Sequence, residues 1–240
     1  MPGNFALMPP RRFCRGDFGA GVRYQLRVTH MDHRSASTTT VIFDLGAVLI
    51  EWDPRHLYRG LFDDEQAMEH FLETVCTAEW NAEQDRGRSL AEATTQLTAE
   101  YPHHADLIAA YYGRWEEMLG QPIAGTVEIA HELAARGVRL LALSNWSAET
   151  FPIVRPQLTF LDAFDGVVLS GAEGLIKPDP AIYLLLAERY EVDIAQAVFI
   201  DDSARNVETA SALGFDSVRF ESPAQLRAEL ARRGLLAPIE

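Results

Sequence analysis

Short apolar runs recur along the chain and alternate with longer segments that carry an apolar stripe at helical spacing. A run of a few apolar residues that ends at a polar residue or a glycine is typical of a buried strand. Such runs predict strands at residues 41–43, 138–143, 167–169, 198–200 and 217–220. Helical stripes predict helices at residues 123–136, 178–190 and 204–213. The first and third of these helices are each followed by a glycine, which favours a helix end.

Alternating strands and helices predict an α/β fold, a three-layer Rossmann-like parallel sheet with helices on both faces. Residues 53–121 interrupt the alternation, because they carry amphipathic helical spacing and no convincing strand. We interpret them as an inserted helical cap, with the Rossmann-like core formed by residues 39–52 and 122–240. Residues 1–38 mix Gly, Pro, Arg, Ser and Thr without a regular period, which predicts a flexible N-terminal extension.

The formal net charge of −14 disfavours nucleic acid and anionic lipid as partners, since both are bound mainly through Lys and Arg. Neither a signal-peptide pattern nor an uncharged run of spanning length is found, and two cysteines give no disulfide framework. We therefore expect a cytoplasmic monomer or homodimer that acts on a small metabolite, with no membrane or nucleic-acid partner.

Polar side chains stand where three of the predicted strands end. Asp44 follows the first strand, Ser144 and Asn145 follow the second, and Asp201 and Asp202 end the fourth. The carboxyl ends of parallel strands meet at one edge of a sheet, where ligands bind in such folds. Adjacent carboxylates repel unless a cation intervenes, and Mg²⁺ prefers such oxygen ligands.

Lys177 adds an ammonium group to this set. It is the only lysine in a chain with twenty arginines, although the composition otherwise favours arginine. A compact ammonium fits between a carboxylate and a phosphate oxygen where a broad guanidinium does not. The solitary lysine is therefore predicted to serve chemistry.

These four elements, in this order and spacing, resemble the signature of the haloacid dehalogenase-like superfamily. They are the sequences DLGAV at 44–48, LSN at 143–145, the lysine of KPDPAIY, and FIDDS at 199–203. The resemblance runs from residue 41 to about residue 220, and the insertion after the first element resembles the helical cap of that family.

The resemblance implies that the chain is a phosphatase that acts on a small phosphorylated metabolite. Asp44 attacks phosphorus and becomes an aspartyl-phosphate, while Ser144 and the neighbouring amide of Asn145 hold phosphate oxygens. Lys177 orients Asp44 and neutralises developing charge. The residue types alone predict the same roles, namely a nucleophile and donors to an oxyanion.

The resemblance also implies a Mg²⁺ cofactor, held by Asp44, the carbonyl of Gly46 and Asp202 with help from Asp201. Gly46 departs from the family pattern, because phosphatases of the family usually carry an aspartate there as general acid. Such an acid contributes about 10²- to 10⁴-fold in rate when the leaving group needs a proton. The glycine favours an activated leaving group, as in a hexose 1-phosphate, or a water or cap group that replaces the acid.

Two other functions remain open. A 2-haloacid dehalogenase also begins with attack by the aspartate, and halide leaves without a proton, but that chemistry needs no metal. A catalytically weak module that binds a phosphorylated ligand or a protein is the other alternative. In or near the cap, the residues predicted to face substrate are Trp52, Trp80, Gln84, Arg86 and Trp146.

Overall fold

The computed structural model describes residues 40–237, so the predicted N-terminal extension and residues 39 and 238–240 lie outside the described part. A five-stranded sheet forms the centre of the core. Its strands are β1 (Thr40–Phe43), β4 (Arg139–Ser144), β5 (Gly166–Leu169), β6 (Ala197–Asp201) and β7 (Asp216–Arg219), and a separate two-stranded ribbon consists of β2 (Ile50–Trp52) and β3 (Leu119–Pro122). All five strands predicted from the sequence are confirmed to within a few residues.

The order of strands in the central sheet is β5-β4-β1-β6-β7, and all neighbours are parallel. β1 lies in the middle, with Phe43 opposite Ala142 of β4 and Ile200 of β6. The residues that follow these positions therefore emerge side by side at the carboxyl edge of the sheet, as expected for such folds.

Helices cover both faces of the sheet, which confirms the three-layer Rossmann-like fold. The core helices are α6 (Ala124–Ala135), α7 (Phe151–Val154), α8 (Ser170–Glu173), α9 (Pro180–Arg189), α10 (Ala204–Leu213) and α11 (Pro223–Arg232). Val41 and Phe43 pack with α6 and α11 on one face, and Ile42 packs with α9 and α10 on the other. Burial on both faces explains why β1 is an unbroken apolar run.

Five helices lie between the two strands of the ribbon, in the segment predicted to form a cap: α1 (Arg55–Tyr58), α2 (Glu65–Thr74), α3 (Ala78–Asp85), α4 (Leu90–Glu100) and α5 (Ala105–Gly113). The Thr77 hydroxyl caps α3 by accepting from the Trp80 N–H at 3.1 Å. Tyr58, Phe71 and Tyr111 pack in the cap interior, with ring centroids about 5 to 6 Å apart where Tyr58 meets the other two.

One feature of the cap segment differs from the sequence expectation. No strand was expected in residues 53–121, yet β3 begins at Leu119 and pairs antiparallel with β2. The segment is short and contains Gly120 and Pro122, so it has no alternating pattern, and only the long-range pairing with β2 makes it a strand. Within residues 40–237, no helix is both long and apolar enough to cross a membrane.

Candidate active site

Three carboxylates meet at the carboxyl edge of the central sheet. Asp44 follows β1, Asp201 ends β6 and Asp202 comes next, and one oxygen from each lies within 4.8 Å of the others. The Asp44 N–H donates to the Ile200 carbonyl at 2.8 Å, which extends the pairing of β1 with β6 to the carboxylate itself. The structure thus brings together the acidic residues that the sequence singled out.

The Lys177 ammonium lies between two of these carboxylates. Its Nζ is 2.9 Å from Asp44 Oδ1 and 2.7 Å from Asp201 Oδ2, and it donates to the Leu143 carbonyl at 2.8 Å. Its three donors are therefore all used, and its side chain is fully buried. A guanidinium presents a broad planar fork instead, which does not match three acceptors around one nitrogen.

The Asn145 side chain fixes Lys177 relative to the end of β4. Its Oδ1 accepts from the Lys177 N–H at 2.8 Å, and its Nδ2 donates to the Lys177 carbonyl at 3.0 Å. This two-way contact satisfies the asparagine amide with protein groups. The side chain of Asn145 therefore positions the lysine, which leaves the backbone amide as the group available to a phosphate oxygen.

The two neighbouring aspartates at the end of β6 differ in environment. Asp201 is fully buried and accepts hydrogen bonds from the Ser203 N–H at 2.9 Å and from Asn206 Nδ2 at 2.9 and 3.1 Å. Asp202 is exposed. Asp201 is thus held by protein donors, whereas Asp202 presents its carboxylate outward. Asn206 was not among the predicted site residues, because an asparagine in the first turns of a helix carries no distinctive signal.

The charges in this cluster do not balance. Burial raises the pKa of Asp44 to about 7; the Lys177 ammonium opposes this rise, and the Asp201 carboxylate adds to it. Although burial disfavours its charged form, Asp44 and Asp201 together raise the pKa of Lys177. Partial loss of solvent also raises the pKa of Asp202, with a further contribution from Asp201. Three carboxylates around one ammonium therefore favour a further cation or a proton.

A cavity of about 90 Å³ lies at the ends of β1 and β4, between the core and the predicted cap. Ser144, Asn145 and Gly46 contribute to its core side. Three tryptophans also line it: Trp52 and Trp146, which the sequence indicated, and Trp115, which it did not. Asn81 and Asp85 complete the wall from helix α3 of the cap.

The other three cap residues predicted to face substrate do not line this cavity. Trp80 packs against Tyr111 and Tyr112, with ring centroids 5.1 and 5.3 Å apart. Gln84 is fully buried and donates to the Trp80 carbonyl and to the Tyr112 hydroxyl. Arg86 is exposed and lies 3.8 Å from Glu83. Helical rotation explains the difference, since Asn81 and Asp85, four residues apart on α3, occupy the face toward the cavity.

Residues 38–214 match a family model described as a haloacid dehalogenase-like hydrolase. The chain belongs to this family. Among relatives of this hydrolase, a sesquiterpene phosphatase of Aspergillus oryzae is 29% identical over 174 residues, which are 72% of this chain and 85% of that protein.

Solved structures show the same fold at lower sequence identity. A predicted HAD-like family hydrolase from Porphyromonas gingivalis has a TM-score of 0.64 at 22% identity, covering 82% of this chain and 98% of that one. A HAD family enzyme from Bacteroides thetaiotaomicron, in complex with magnesium and inorganic phosphate, has a TM-score of 0.57 at 22% identity, covering 78% and 96%. An L-2-haloacid dehalogenase from Xanthobacter autotrophicus has a TM-score of 0.55 at 22% identity, covering 83% and 84%.

Proposed function

We propose that this hydrolase is a Mg²⁺-dependent phosphatase that cleaves a small phosphomonoester through an aspartyl-phosphate on Asp44. The observation that carries the proposal is the Lys177 ammonium, 2.9 Å from Asp44 and 2.7 Å from Asp201, next to the end of β4, where Ser144 and Asn145 line a cavity. This arrangement supplies a nucleophile, a fixed cation and phosphate donors at one point.

The chain's own residues account for the first step. An oxygen of Asp44 attacks phosphorus while Lys177 holds the carboxylate in place and favours its ionised form. The Ser144 hydroxyl and the Asn145 backbone amide would donate to the phosphate oxygens that gain charge. Lys177 is fully buried and bonded to Asn145, so the ammonium and the Asn145 amide need little rearrangement during the reaction.

The donor set fits a hard divalent cation. Asp44, Asp202 and the Gly46 carbonyl would hold Mg²⁺, and Asp201 would orient the site through its contacts with Lys177 and Asn206. All are oxygen donors, and the raised pKa values of Asp44 and Asp202 mark a cluster with an excess of negative charge. When bound, Mg²⁺ would neutralise phosphate charge and orient the phosphoryl group for attack.

Two substrate classes follow from different observations. Gly46 favours a phosphate on an acidic oxygen, such as a hexose 1-phosphate. The three tryptophans of the cavity favour instead the phosphate of an apolar alcohol, because indole faces bury hydrocarbon and offer few partners for sugar hydroxyls. The name of the Aspergillus oryzae relative, a sesquiterpene phosphatase, supports the second class.

The test is phosphate release from a panel of metabolite phosphates, measured with Mg²⁺ and with a chelator, beside the Asp44→Asn variant. The panel pairs hexose 1- and 6-phosphates with short and long prenyl monophosphates. We expect turnover that requires both Mg²⁺ and Asp44. Halide release from 2-haloacids that survives chelation would instead indicate a dehalogenase. If substrates of neither class were turned over, a catalytically weak module that binds a phosphorylated ligand or a protein would be the remaining function.

A further inference from the structure

Gly46 leaves the active site without the acid that family phosphatases usually carry at that position. The leaving oxygen of an alcohol phosphate needs a proton, and neither Ser144 nor Asn145 supplies a suitable one at neutral pH. Among the described residues that line the cavity, Asp85 is the only one with a titratable side chain. It comes from helix α3 of the predicted cap, whereas Gly46, Ser144 and Asn145 line the same cavity from the core.

Several contacts fix Asp85 against the loop that follows β4. The Ser170 hydroxyl donates to the Asp85 carbonyl and accepts from the Trp146 N–H at 2.9 Å, so one side chain joins the cap to the loop after β4. The turn that follows α3 also lies close to the core, since a Cβ at Gly87 would stand 3.1 Å from the Gly171 carbonyl oxygen. Asp85 is therefore held in place by backbone contacts.

The Asp85 carboxyl group itself is held by Asn81 on its own helix and by the Ser147 N–H in the loop after β4. Asn81 Nδ2 donates to Asp85 Oδ2 at 3.0 Å, and Asn81 in turn accepts from the Tyr112 hydroxyl at 2.9 Å. No side chain of opposite charge pairs with this carboxyl group among residues 40–237. A carboxyl group with an amide partner and no cation can exchange a proton with a bound ligand.

We propose that Asp85 is the general acid and base of this hydrolase, replacing from the cap the group that is missing at Gly46. The inference rests on the proposed phosphatase function. In the first step the Asp44 oxygen bonds to phosphorus, the bond from phosphorus to the leaving oxygen breaks, and that oxygen takes the electron pair and the Asp85 proton. In the second step the Asp85 carboxylate takes a proton from water as the water oxygen bonds to phosphorus, which releases phosphate and Asp44.

The electrostatics of Asp85 suit this role. Burial raises its pKa to about 7, and the nearby Ser147 N–H opposes the rise. Asp85 is also the last residue of α3, where the helix dipole disfavours a negative charge. Two titratable groups interact with it, Tyr111 and Tyr112 of α5, which burial keeps neutral at pH 7. Arg88 in the following turn interacts with Tyr112 and donates to Gln84.

The experiment compares Asp85→Asn with the unmodified chain on two substrates that differ in their need for a proton. On an alkyl phosphate, kcat/KM, which reports the steps up to departure of the alcohol and not the second step that both substrates share, should fall by about 10²- to 10⁴-fold. On 4-nitrophenyl phosphate, whose leaving group needs little protonation, it should fall by less than about tenfold. Glu83→Gln is the matched control, because the same change is made on the same helix at a side chain that is 53% exposed.

A second variant protects the test against a purely structural effect. No atom lies within 4 Å of a Cβ built at Gly46, so an aspartate side chain can be introduced there. Gly46→Asp in the Asp85→Asn background should restore much of the alkyl phosphatase activity, since it returns an acid to the family position. Equal losses on both substrates without rescue, or no loss on either, would overturn the inference. If the unmodified chain hydrolysed neither phosphate, the proposed function itself would fail.

Discussion

Removal of the Lys177 ammonium should destabilise the fold through the charges that it leaves behind. Lys177→Met keeps the length and apolar character of the buried stem and deletes three hydrogen bonds, to Asp44, Asp201 and the Leu143 carbonyl. Asp44 retains only the Leu45 N–H at 2.7 Å, whereas Asp201 keeps its donors from Ser203 and Asn206. Two buried carboxylates then face each other without a cation.

The magnitude follows from the charge that the variant leaves unpaired. Loss of one partner of a buried ion pair typically costs about 3 to 5 kcal/mol. Burial already raises the pKa of Asp44 to about 7, and loss of the ammonium that opposes this rise raises it further. Because the folded variant then holds a proton that the unfolded chain has lost, its stability falls as pH rises, and its difference from the unmodified chain should be smaller at pH 5 than at pH 7.

The assay is urea unfolding in the presence of EDTA, which prevents a bound metal from replacing the ammonium. The double variant Asp44→Asn with Lys177→Met tests the cause, because it removes one of the two repelling charges and should recover about half of the loss or more. A Lys177→Met variant within about 1 kcal/mol of the unmodified chain at pH 7 would refute the reasoning, as would a loss that Asp44→Asn leaves unchanged.

Three further outcomes are expected. Asn206→Ala should raise the Mg²⁺ concentration for half-maximal activity by about 10- to 100-fold, because Asn206 holds both oxygens of Asp201, and the exposed neighbour Arg205→Ala should not. Asp85→Asn should raise the thermal midpoint of unfolding relative to the unmodified chain, and the difference should grow from pH 4 to pH 7. The reason is that the raised pKa of Asp85 destabilises the folded unmodified chain as pH rises through that range. A difference that stays constant across the range would contradict the assignment. Trp52→Ala should lower kcat/KM for prenyl phosphates by roughly tenfold more than for hexose phosphates. A tenfold factor corresponds to about 1.4 kcal/mol of lost apolar contact. Equal losses on both substrates would remove the support for an apolar leaving group.

Much of the candidate active site could be predicted because its residues stand directly after buried strands. Asp44, Ser144 and Asp201 each end an apolar run, and the carboxyl ends of parallel strands meet at one edge whatever the loops do. Lys177 lies outside a strand, but its isolation in a chain rich in arginine marked it. The local sequence pattern and the amino-acid composition were therefore enough to single out these four residues as candidates.

The cap was harder to interpret, because amphipathic helices show which face is apolar but not which neighbour that face meets. Trp80 and Gln84 carry the aromatic and polar character expected of a substrate contact, yet they pack with Tyr111 and Tyr112 inside the cap. Trp115 reaches the cavity from a short 3-10 turn at Trp115–Met118, a position without periodic signal. Strand β3 likewise exists only through its pairing with β2.

The amino-acid sequence alone determined the α/β class and which charged residues stand at the ends of strands. Both depend on the pattern of apolar and polar residues at neighbouring positions. Tertiary structure alone decided that Asp85 of α3 lines the same cavity as Ser144 and that Asn206 holds Asp201. Those relations join residues far apart in the chain, or depend on the rotation of one helix against another element. Such contacts are set by the packing of the whole fold, which no local pattern encodes.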